Sequence, residues 1–180
     1  MRLHLIVITG LPGTGKTMLA RRIARRYRIP MIAKDTIKES LLDVLNPDGA
    51  RSREMSDASF AVMLAIAREL LGGEVDLVLE GNFRSPQHEA GLLTALAGGP
   101  GRMIQVLCRA EETVRLARLA ARRHDPARHP GHRQADQILR AAECDTFLEL
   151  PGERLQFDSC AGAAAGNELL AALAVALSAR

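Results

Sequence analysis

Apolar positions along the chain alternate between two periods. Leu3–Thr9 (LHLIVIT) is a nearly unbroken apolar run rich in β-branched residues, the pattern of a strand buried on both faces of a parallel sheet. Beyond Gly10–Thr17, Met18, Leu19, Ile23 and Tyr27 recur at helical spacing until Pro30, and Met31–Ala33 is a short strand candidate. Asp35 is placed to cap a helix running to about Leu45, with Ile37, Leu41, Leu42 and Leu45 on one face. A longer helix is predicted from about Arg53 to Leu71, ended by Gly72-Gly73. Strands are then expected at Val75–Leu79, Arg102–Leu107 and Leu155–Phe157. Helices are expected from Pro86 to about Ala97, over Glu111–Arg123, over about Gln134–Leu148 and over Asn167–Leu177.

Strands alternating with helices predict an α/β fold with a parallel sheet, and 180 residues suit one domain, 1–180. No apolar run approaches the ~20 residues that span a bilayer, and no basic leader precedes the first strand, so a cytoplasmic protein without a membrane partner is expected. Cys108, Cys144 and Cys160 are scattered and read as reduced, mostly buried thiols. The net charge of +3 suits an anionic ligand without requiring nucleic acid. Basic residues are almost all Arg; the three lysines, Lys16, Lys34 and Lys38, fall in two short segments.

The first of these segments carries chemistry. Gly10-Leu11-Pro12-Gly13-Thr14-Gly15-Lys16-Thr17 matches G-x-x-x-x-G-K-[ST] between a buried strand and an amphipathic helix. Gly10, Gly13 and Gly15 let the backbone turn its N–H groups inward, and the helix that continues through Met18 points its positive end at the same spot. Lys16 is positioned to reach β- and γ-phosphates, and the Thr17 hydroxyl to ligate Mg²⁺. No Asn-Lys-x-Asp and no Leu-Ser-Gly-Gly occurs, which disfavours a GTPase and a transporter ATPase.

Downstream, Asp35 lies at the carboxyl end of the second predicted strand, the edge where open α/β sheets bind ligands. A carboxylate there can accept the proton of an acceptor hydroxyl, with Lys34 and Lys38 beside it. Glu80 follows the third strand and is a candidate for Mg²⁺ or a substrate hydroxyl; Asn82 and Arg84 line the same edge. Arg118 and Arg122, at i and i+4 on the helix from Glu111, are placed to neutralise charge developing on phosphate. A Pro/His-rich loop, His124–His132, follows; its three histidines read as loop-shaping hydrogen-bonders or substrate contacts more readily than as a zinc site.

Four stretches together resemble the small P-loop kinase group that includes chloramphenicol phosphotransferase, the zeta toxins and phage polynucleotide kinase. They are GLPGTGKT, Ala33–Glu39 (AKDTIKE), Leu79–Arg84 (LEGNFR, with Asn82 where zeta toxins have Thr) and the Arg-x-x-x-Arg pair Arg118 and Arg122. The resemblance implies a P-loop NTPase fold with a five-stranded parallel sheet of order 2-3-1-4-5. It also implies ATP with Mg²⁺ and transfer of the γ-phosphate to a hydroxyl, and it places the loop Asp158–Ala161 near the adenine. On this reading residues 35–73 form the acceptor-binding helices and 118–133 a lid. The acceptor is expected to be a small hydroxylated molecule such as an antibiotic, nucleoside or sugar nucleotide. A polynucleotide 5′-hydroxyl kinase would need stacking rings, and aromatic residues make up only 3% of the chain, with no Trp. A non-catalytic ATP-binding switch is the third alternative, and the oligomeric state is left open.

Overall fold

The computed structural model describes residues 3–45, 52–97, 101–123, 125–126, 128–130 and 145–178. Its strands are β1 (His4–Thr9), β2 (Met31–Ala33), β3 (Leu77–Glu80), β4 (Arg102–Arg109) and β5 (Glu153–Asp158). Its helices are α1 (Lys16–Tyr27), α2 (Lys34–Leu45), α3 (Ser52–Gly72), α4 (Glu89–Leu96), α5 (Glu112–Arg123) and α6 (Gly162–Ser178). The five strands form one parallel sheet of order β2-β3-β1-β4-β5. This is the P-loop kinase topology that the sequence resemblance implies.

β1 is central and wholly buried, and its alternate side chains enter two different cores. Leu5 and Val7 pack with Phe60, Met63, Leu79 and Phe83 on the face covered by α3 and α4. Ile6 and Ile8 pack with Leu19, Ile23, Val106 and Leu173 on the face covered by α1 and α6. Burial on both faces is why this strand reads as an unbroken apolar run rather than an alternating one. The arrangement fixes the carboxyl ends of β1, β2 and β3 side by side: Ile8 and Ala33 both register with Glu80.

Several elements depart from the sequence expectation at their ends, each for a local reason. β3 begins at Leu77 because the amides of Glu74 and Val75 return to the carbonyls of Leu71 and Leu70, closing α3. Pro86 lies in a turn, and α4 starts only at Glu89. α6 extends back to Gly162 through Ala163, Ala164 and Ala165, strong helix formers that carry no apolar period. Residues 145–148 are not helical. There Gln105, buried on β4, takes both the N–H and the C=O of Leu148, and Pro151 follows. The rest of the helix expected over 134–148 lies outside the described residues, as does Cys144. Cys108 is buried, whereas Cys160 is exposed, against the expectation of mostly buried thiols. Among the described residues no helix is long and apolar enough to cross a membrane.

His88 ties α4 to the segment after β3. Its Nδ1 accepts the Arg84 amide at 2.8 Å, and its ring stacks on Phe60 at 3.9 Å between centroids. The acceptor role at Nδ1 requires a neutral ring. Burial, reinforced by the Arg84 guanidinium, lowers the His88 pKa from 6.5 to about 4, with Asp57 pulling the other way. The unfolded chain therefore binds this proton first, and stability falls as the pH drops through the window from 6.5 to about 4. His88→Gln keeps an acceptor but does not titrate. Urea unfolding is expected to show the wild type losing about 2 kcal/mol more than this variant between about pH 7 and about pH 5.

Candidate active site

The loop between β1 and α1 is built as its glycines require. Gly10, Gly13 and Gly15 have φ of +135°, +86° and +86°. At Gly10 even a methyl group is excluded, because a Cβ would sit 2.2 Å from the carbonyl oxygen of Cys108. The carbonyl of Leu11 accepts hydrogen bonds from Thr14 Oγ1 at 2.8 Å and from Lys16 Nζ at 2.9 Å. The buried ammonium of Lys16 is thus held over the loop at the start of α1. Pro12 is half-buried in the same loop, and Met18 is exposed one residue into the helix after Thr17.

Thr17 Oγ1 donates to Glu80 Oε2 at 3.2 Å, joining α1 to the end of β3. Burial pushes the Glu80 carboxyl above its ordinary range; Lys16 draws it down, Asp35 raises it, and the Thr17 hydrogen bond and Lys34 lower it. Asp35 stands in the first turn of α2, which starts at Lys34 directly after β2, two residues earlier than the Thr36 start of a helix capped by Asp35. Its carboxylate is more than half exposed and lies 3.3 Å from the buried Nζ of Lys34, itself 5.9 Å from the centre of the Phe60 ring.

A cavity of about 390 Å³ brings these groups together: Thr17, Arg21, Asp35, Glu39, Glu80, Arg122 and His129 all line it. Along the chain they span more than a hundred positions, from Thr17 to His129. Lys38, Asn82 and Arg84 are not among its lining residues. Lys38 is buried on α2, and Asn82 and Arg84 are half-buried on the segment after β3, where Phe83 enters the core. Arg118 is elsewhere too. It donates to the Gly13 carbonyl at 3.1 Å and to Ser159 Oγ at 2.7 Å, bridging the phosphate loop to the end of β5. Arg118 and Arg122, one turn apart, therefore serve different sides of the loop. Ser159, which also comes within 3.4 Å of a Cβ placed on Gly15, belongs to the loop that the resemblance places near adenine. His129 pairs with Asp43 of α2 at 2.9 Å, so the segment after α5 reaches across to that helix. His124 and His132 lie outside the described residues.

Arg21 and Glu39 were not singled out by sequence reasoning. Both signals were present: Arg21 is four residues after Thr17 on α1, and Glu39 four after Asp35 on α2, so each shares a face with a named site residue.

The match to the AAA domain family (AAA_33) covers residues 5–144. The chain belongs to this family. Within the AAA domain family's span fall β1, the phosphate loop, Asp35, Glu80 and α5. A crystal structure from Chloroflexus aurantiacus, of a protein to which kinase activity is ascribed, superposes with a TM-score of 0.86 at 28% identity, covering 98% of this chain and 99% of that one. The APS kinase CysC of Mycobacterium tuberculosis, in complex with AMPPNP and APS, matches with a TM-score of 0.58 at 21% identity, covering 96% of this chain and 98% of that one. Kti12 of Chaetomium thermophilum in complex with ADP-AlF3 matches at 0.62 and 16% identity, over 97% and 100% of the two chains. At such identities the last two show a shared fold. An uncharacterized protein of Mycobacterium tuberculosis is 29% identical over 152 residues, which is 79% of this chain but 30% of that protein. This AAA domain chain thus spans under a third of the length of the curated relatives it matches.

Proposed function

We propose that the protein is an ATP-dependent O-phosphotransferase that moves the γ-phosphate to a hydroxyl of a small molecule, of the antibiotic, nucleoside or sugar-nucleotide kind. The observation that carries this reading is the single cavity holding Thr17 and Glu80 from the phosphate-loop side, Asp35 from α2 and Arg122 from α5. The nucleotide-bound complexes of CysC and Kti12, which share the fold, support ATP as donor.

The loop Gly10–Thr17, with its inward amides and Lys16, holds the β- and γ-phosphates. Thr17 and Glu80 offer two oxygens 3.2 Å apart, a donor set that fits Mg²⁺. When bound there, the ion supplies charge neutralisation on the phosphate oxygens. Asp35 accepts the proton of the acceptor O–H as that oxygen forms its bond to Pγ, and the bond from Pγ to the β–γ bridging oxygen breaks to release ADP. Arg122 stabilises the charge spread over the transferring group. Arg118 acts from the nucleoside side, fixing the loop that cradles the phosphates. Residues 118–133 serve as the lid and 35–73 as the acceptor-binding helices. Asp35, Glu39 and Glu80 face the acceptor, while Lys38, Asn82 and Arg84 support the walls of that sheet edge.

The test is transfer from γ-labelled ATP with Mg²⁺ to a panel of antibiotics, nucleosides and sugar nucleotides. Label is expected on one compound class well above the rate of ATP hydrolysis. Tight nucleotide binding with no transfer would favour a switch, and label confined to oligonucleotide 5′-hydroxyls would favour a polynucleotide kinase.

A further inference from the structure

A second, larger cavity of about 720 Å³ opens beside the first and shares Thr17, Arg21, Arg122 and Arg128 with it. Arginine dominates its walls. Arg21, Arg22 and Arg25 come from α1 and Arg122 and Arg128 from the facing segment, against one acid among the described residues, Asp125. α1 contains no acidic residue that would neutralise its own face. Arg22 is engaged by Asn167 at 2.6 Å. Among the described residues no ion pair or side-chain hydrogen bond involves Arg21, Arg25 or Arg122.

Two sets of guanidinium groups facing each other across a void repel unless an anion lies between them. The triphosphate is not that anion if its outer phosphates are held at Lys16 and Thr17. Arg21 and Arg25 stand one and two turns further along α1, about 6 and 12 Å beyond Thr17. Arginine forks match phosphate oxygens in pairs.

We propose that the acceptor itself carries a phosphate group, held by Arg21 and Arg25 in the larger cavity while its hydroxyl faces Asp35 in the smaller one, with Arg122 between the two on the transferring group. This rests on the phosphotransferase reading and narrows its substrate class to phosphorylated small molecules. Among the described residues no aromatic side chain on which nucleic-acid bases would stack lines the cavity.

The experiment follows arginine side-chain Nε–Hε NMR signals, assigned through Arg21→Lys and Arg25→Lys. Inorganic phosphate is titrated at constant ionic strength into protein saturated with AMPPNP and Mg²⁺. The Arg21 and Arg25 signals are expected to shift along a saturable curve, and Arg25→Ala, shown folded by its amide spectrum, to raise the midpoint about tenfold. A linear shift matched by chloride, or a midpoint unmoved in Arg25→Ala, overturns the proposal. So does a short single-stranded oligonucleotide that saturates the same signals at lower concentration, with steep salt dependence. If AMPPNP does not bind, the phosphotransferase reading fails on its own. The same phosphate titration of nucleotide-free Lys16→Ala then still decides whether the arginine cavity takes an anion.

Discussion

Asp35→Asn is expected to lower the rate of phosphoryl transfer by about 10²–10⁴-fold, the range supplied by a positioned proton acceptor. Asparagine preserves the size and most of the hydrogen bonding of the side chain but cannot take the acceptor's proton. The geometry makes this a sharp test. The Asp35 carboxylate opens into the cavity that also holds Thr17 and Glu80, while its packing role is small. It pairs with Lys34 Nζ at 3.3 Å, and a loss of about 1 kcal/mol in stability is expected from that pair and is measured separately by denaturant unfolding. Nucleotide affinity, read by calorimetry with AMPPNP, is expected to stay near the wild-type value, because Asp35 lies on α2 and not on the phosphate loop. An unchanged kcat would remove Asp35 from the chemistry.

Lys16→Met is expected to cost about 10²–10³-fold in kcat, together with a clear loss of nucleotide affinity. Methionine approximates the aliphatic length of lysine and suits a buried position, so the change deletes charge more than volume. Two consequences can be read independently of turnover. The Leu11 carbonyl loses the ammonium but keeps Thr14 Oγ1 at 2.8 Å, so the loop is expected to stay folded. Glu80 loses the Coulombic partner that most opposes its burial and is expected to hold its proton to still higher pH. Carboxyl titration followed by NMR in the two proteins checks the direction of that change.

Much of this architecture was readable in the sequence because it rests on local chemistry. The run Leu3–Thr9 carried the pattern of a doubly buried strand, and the glycine positions of the loop are dictated by backbone angles that other residues rarely adopt. Glu80 and Asp35 were recognisable because each ends or follows a strand at the ligand-binding edge of an open sheet. What periodicity could not supply was direction in space. Arg118 and Arg122 share a helical face by spacing, yet one reaches the Gly13 carbonyl and the other a cavity wall, and that choice is made by where α5 lands on the loop. The cavity lined by Asp35 likewise depends on α1, α2 and the segment after α5 meeting, a long-range event without a local signature. That residues 145–148 are not helical was hidden for the same reason, since both backbone groups of Leu148 are taken by Gln105 on a distant strand.

The seating of α5 has a mechanical consequence. Its side chains at Arg115 and Leu119 close directly over Gly13, a Cβ there meeting Arg115 at 3.0 Å, and Arg118 bonds the same residue's carbonyl. The root of α5 and the phosphate loop are therefore joined at Gly13 by packing on one side and a hydrogen bond on the other. Through the His129–Asp43 pair the segment after α5 is tied in turn to α2, so a continuous line of contacts runs from the Gly13 carbonyl to the helix that carries Asp35.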